Sequence, residues 1–87
     1  MTHYATFSPV KLFLRAPELR TVSSVRDAVA VLLEEWPPDA ARGVAHLAAL
    51  EECKHYLQGN STAANVRLAL IAAASEAGIL DQRSSRH

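Results

Sequence analysis

Cysteine occurs once in these 87 residues, at Cys53, so no disulfide can close within the chain. Glycine occurs only three times, and Gly43, Gly59 and Gly78 are too scattered to form a phosphate-cradling loop. There is no Cys-x-x-Cys pair, and no Ser/His/Asp set has the local context that a hydrolase motif requires. Neither sign of charge dominates, since nine Lys and Arg face nine Asp and Glu. Nucleic-acid binding depends on a basic surface that neutralises phosphate, so nucleic acid is not an expected partner. No stretch approaches the roughly 20 consecutive apolar residues that a membrane span needs. The opening Met1-Thr2-His3-Tyr4 lacks the charged start and apolar run of an export signal. A lone cysteine without such a signal predicts a reducing, cytoplasmic setting. Asn60-Ser61-Thr62 matches the glycosylation acceptor pattern and, without export, reads as a loop leading into a helix cap.

What is present is helix punctuation. Ser23-Ser24 opens a first helix that stops at Trp36-Pro37-Pro38. A second starts between Ala40 and Val44 and stops at Gly59. Ser61 opens a third that stops at Gly78. A serine oxygen satisfies a free N–H at a helix start, and glycine just past a helix end adopts the left-handed conformation without steric cost. Proline ends the first helix because it cannot donate the next hydrogen bond.

Ahead of the helices, Phe7 to Arg15 alternates as a half-buried strand does, with Val10, Leu12 and Leu14 on one side. Pro9 suits an edge or the strand's first residues. Ala16-Pro17-Glu18 signals a turn of three or four residues, after which Leu19 to Val22 returns as a second strand. The expectation is an α+β fold, mainly helical, with an N-terminal two-stranded β-hairpin packed against three α-helices. One domain spans residues 7–80, between polar tails at 1–6 and 81–87.

Helical spacing places Val25, Val29, Leu32 and Trp36 on one face of the first helix, with Ala28 and Leu33 at its edges and Val31 on the wet side. His46, Leu50, Cys53 and Leu57 line the second, flanked by Leu47 and Ala49. Val66, Leu70, Ala73 and Ala77 line the third, with a second stripe of Ala64, Leu68 and Ile71 beside it. A short Gly59-Asn60 link makes the last two helices an antiparallel pair. A helix apolar on two sides calls for burial on two sides. A body this small buries only about 60% of the surface its unfolded chain exposes. Both points predict a homo-oligomer, a dimer first, formed through the hairpin's open strand edge or the last helix.

These pieces occur together in a recognisable order. A strand opens on Pro9-Val10 and a capped helix ends in Trp36-Pro37. A further helix carries His46, Ala49, Cys53 and Leu57 before Gly59, and a last helix carries Arg67 and ends in Glu76-Ala77-Gly78-Ile79. From about Phe7 to Ile79 the chain resembles the small bacterial domain-of-unknown-function family 982. Leu70 stands where an aromatic residue is common in that pattern. The resemblance implies a cytosolic bacterial protein and supplies no catalytic residues; no cofactor or metal is expected.

Few residues invite chemistry. His46 and Cys53 share a helical face as base and nucleophile would, but seven residues of helix separate them by roughly 10 Å. Direct pairing needs about 2.6–3.2 Å. A buried cysteine packed as a hydrophobe and a hydrogen-bonded core histidine are the plainer readings. Glu51 and His55, four apart, supply two ligands where zinc takes at least three. Trp36 closes an amphipathic helix as a core anchor. Trp36, His46, Cys53 and Arg67 are the candidate ligand or interface residues, and none is a candidate for catalysis. The expected function is a small non-enzymatic interaction module, self-associating. The alternative is a small-ligand-binding or regulatory protein with a pocket near Trp36, His46 and Cys53.

Overall fold

The computed structural model describes residues 6–15 and 17–81. Two antiparallel strands, β1 (Thr6–Arg15) and β2 (Glu18–Ser24), form the hairpin. Three helical segments follow: α1 (Val25–Ala30) with a wider π turn (Val31–Glu35), α2 (Val44–Leu57) and α3 (Ala63–Ala77). The fold is therefore α+β, a hairpin against three helices. The expected tails lie outside the described residues, apart from Thr6, which begins β1, and Asp81, which is buried.

Val10 pairs with Val22 and Leu12 with Arg20. Val10, Leu12 and Val22 are fully buried under the helices. The ladder slips between Thr6 and Val10, where Pro9 has no N–H to contribute. It slips again beyond Leu12, and Arg15 then pairs with Glu18, a tighter connection than the three or four residues expected.

The edge of β1 is not open. After α3 the chain turns back and lays a short extended segment along it. Phe13 N–H donates to the Ile79 carbonyl at 2.7 Å, and Asp81 N–H donates to the Lys11 carbonyl at 3.0 Å. Gly78 makes the turn possible. At φ +73° it takes the left-handed conformation, its N–H bonds the Ser75 carbonyl, and Ile79 N–H bonds the Ala74 carbonyl. Arg67 ties α3 to the start of β1, its Nε–H donating to the Ser8 carbonyl at 3.0 Å. Backbone groups alternate sides along a strand. Since Lys11 and Phe13 turn theirs to the C-terminal segment, Val10 and Leu12 turn theirs to β2, and Thr21 faces outward. Among the described residues the strand edge left without a neighbouring strand is therefore that of β2, where the Thr21 carbonyl accepts from the Arg20 guanidinium at 2.8 Å.

Ser24 caps α1, its Oγ accepting from Asp27 N–H at 3.1 Å. Val31, placed on the wet side by regular helical spacing, is fully buried, and Leu33 is 63% exposed. The π turn accounts for both: i→i+5 bonding advances each residue through a smaller angle, so the apolar face shifts along the last turn. Trp36 ends the segment with extended backbone (ψ 129°), as the residue before a proline must.

In α2 the buried line is His46, Ala49 and Cys53, whereas Leu47 and Leu57 are exposed and Leu50 is half-buried. Ala49 and Cys53 are small, which permits close approach on the buried side, and the leucines stay at the margin. Val66, Leu70, Ala73 and Ala74 of α3 are buried, while Leu68 of the second stripe is 60% exposed. Thr62, not Ser61, caps α3 by accepting from Asn65 N–H at 3.1 Å. Ser61 instead donates its hydroxyl to the Glu52 carboxylate, tying the loop to α2.

Candidate functional site

Three of the four residues singled out from sequence lie in the interior, where Trp36 and His46 meet. Their ring centroids are 4.9 Å apart at an interplanar angle of 62°, an edge-on contact. His46 Nε2 lies 3.0 Å from the Leu32 carbonyl. A carbonyl only accepts, so that nitrogen carries the proton, and it satisfies a carbonyl of the terminal π turn. Trp36 Nε1–H donates to the Ala41 carbonyl at 3.0 Å, and the Trp36 carbonyl accepts from Arg42 at 3.1 Å. One aromatic side chain and its backbone thus tie down the Pro37–Arg42 connection. Among the described residues no buried side-chain nitrogen or oxygen lacks a partner.

Cys53 lies about two turns farther along the same face of α2 as His46, buried in the same core. Burial pushes its thiol up to about 11, and the nearby Glu52 charge adds to the effect. At neutral pH the sulfur is therefore a protonated thiol, the opposite of an activated nucleophile. Arg67 sits apart from the other three, at the start of β1.

Two of the surface depressions bear on function. The larger, about 550 Å³, lies between the hairpin end and the Trp36-Pro37-Pro38 corner. Trp36 lines it; His46 and Cys53 do not. Arg20 and Glu35 form a two-pronged ion pair there, Nε to Oε1 at 2.9 Å and Nη2 to Oε2 at 3.2 Å. The hydrogen bond from Arg20 holds the Glu35 carboxyl below the usual carboxylate range, against a smaller opposing effect of burial. The second, about 320 Å³, is an apolar groove between α1 and the end of α2, with Val29, Leu33 and Leu57 in its walls. Sequence reasoning missed this groove because the π turn that swings Leu33 outward has no local signal.

Among the described residues no three His, Cys, Asp or Glu side chains gather as metal ligands. No described helix is long and apolar enough to cross a membrane.

Compared with known families, residues 8–81 match the model described as "Protein of unknown function (DUF982)". The chain belongs to this family. The DUF982 match begins beside Pro9 and ends at Asp81, so it spans both strands, all the helices and the C-terminal segment that closes the β1 edge. No curated protein and no solved structure matches the chain. In this DUF982 chain Trp36, His46 and Cys53 are all buried, and of the three Trp36 alone also lines the larger depression.

Proposed function

We propose that this DUF982 protein is a small, non-enzymatic, cytoplasmic interaction module that associates with a second copy of itself. The observation that carries this reading is the apolar groove, where Leu33 and Leu57, 63% and 64% exposed, stand in one depression. Contiguous apolar surface of this kind marks interaction sites, whereas single exposed leucines do not. Leu68 on α3 offers a further exposed apolar side chain. The non-enzymatic part is supported by the protonated Cys53 thiol and by His46, whose Nε2 is committed to Leu32. Sedimentation velocity across micromolar concentrations should show a concentration-dependent dimer. A monomer at every concentration would remove the reading.

The cleft beside Trp36 favours a second reading, a ligand-binding or regulatory protein. A small-molecule thermal-shift screen tests it: a compound must raise Tm in the native protein and fail to do so in Arg20→Ala.

A further inference from the structure

The groove between α1 and α2 has an α1 wall whose two charged ends are opposite in sign. Its α1 wall is built from two i→i+4 rows. The apolar row runs through Val29 and Leu33, and the row beside it reads Arg26, Ala30, Glu34. The second row carries a positive end, a small half-buried centre and a negative end, with Arg26 and Glu34 each four residues from Ala30 in sequence.

We propose that the groove is a two-fold interface in which a second copy of this chain packs its α1 antiparallel across the first at Ala30. This rests on the self-association reading above and adds which surface meets which. In an isologous contact, residue i of one copy meets residue j of the other and the reverse. A two-fold axis at Ala30 therefore sets Arg26 of each copy against Glu34 of the other, two opposite-charge contacts from one pair of residues. The Arg26–Ala30 step lies in regular α-helix, whose i±4 ridges interlock in the commonest helix packing class. Alanine at the crossing allows the axes to approach. Leu33 and Leu57 then lose their exposure against the partner's equivalent surface, supplying the apolar centre that a stable interface requires inside its charged rim.

The π turn is part of this device. It brings Glu34 into the same groove as Arg26. Arg26 also has an interaction within its own chain, and a guanidinium with five donors can serve that and a partner carboxylate together. A different protein could fill an apolar groove, but it would have no reason to match a wall whose two ends are complementary to each other.

Charge reversal tests the geometry. Arg26→Glu and Glu34→Arg each place like charges at both rim contacts and should weaken the dimer roughly tenfold or more. An equimolar mixture of the two variants should associate, because both contacts are then attractive in the heterodimer. The double reversal in one chain should also restore the homodimer. Unchanged thermal melts of the monomers establish that these exposed positions leave the fold intact. If the wild type dimerises but neither reversal weakens it and the mixture shows no preference, the groove is not the interface and self-association stands on another face. If the wild type stays monomeric, the self-association reading itself fails and the groove inference with it.

Discussion

Glu76, in the last turn of α3, reaches the start of α2, where its Oε1 accepts from Ala45 N–H at 3.3 Å. No side chain of α2's own N-terminus does this work, because the capping position is Gly43. The absence of a side chain there is what admits the carboxylate. A Cβ on Gly43 would lie 2.7 Å from Glu76 Oε1. A negative charge at a helix N-terminus also complements the partial positive charge of its free N–H groups.

Gly43→Ala should therefore destabilise the protein by about 0.5–1 kcal/mol, the usual worth of a cap, because Glu76 must withdraw. Glu76→Ala should have a similar effect. In the double variant the two losses should fall short of their sum, since one contact is removed twice. Urea denaturation of the four proteins measures the coupling, and strict additivity would mean that Glu76 does not cap α2.

His46→Ala removes a ring packed on Trp36 and leaves the Leu32 carbonyl unsatisfied in the interior. Cavity and lost hydrogen bond together predict a loss of about 2–4 kcal/mol. Trp36 is the only tryptophan, so its fluorescence follows the unfolding transition. A loss under about 0.5 kcal/mol would show that the site does not depend on the contact.

Cys53 makes stability fall at alkaline pH. Its thiol is pushed up to about 11 in the folded protein, whereas an exposed cysteine titrates near about 8.5. Below the lower value both states hold the proton and the group is neutral in its effect. Between the two values the unfolded chain releases the proton and the folded one keeps it, so stability declines as pH rises. Cys53→Ala should flatten this decline in melts from pH 8 to 10. Alkylation at pH 8 should be slow in the native protein and rapid after unfolding.

Gly78 holds φ +73°, where a Cβ is strained. Gly78→Ala should cost about 1 kcal/mol or more. Because the turn aims residues 79–81 along β1, amide exchange at Phe13 and Asp81 should quicken beyond what the global loss of stability explains. Unchanged protection at those two amides would mean the segment docks without the turn.

Local features were legible in the sequence, and non-local ones were not. Ser24 and Gly78 were readable because a helix end has backbone needs that one nearby residue type meets. The alternation of Val10 and Leu12 gave away the buried side of β1 for a similarly local reason. The α2 cap escaped because its carboxylate comes from 31 residues away. The buried Val31 and exposed Leu33 escaped because regular 3.6-residue winding was assumed through a π turn. Trp36, His46 and Cys53 were all noticed, and two of them are in ring contact. That all three are buried, and that the cleft beside Trp36 reaches neither His46 nor Cys53, needed coordinates.

By itself the sequence determined the hairpin, three helices and their stops, since each follows from side-chain periodicity and the conformational limits of Ser, Pro and Gly. Only the tertiary structure decided which edges and faces stay open. The C-terminal segment takes the β1 edge, the π turn rotates Leu33 and Glu34 into the α1 groove, and Glu76 fills the gap above Gly43. Each depends on groups distant in sequence competing for the same backbone hydrogen bonds or the same buried space, and that competition has no signature in any short window of residues.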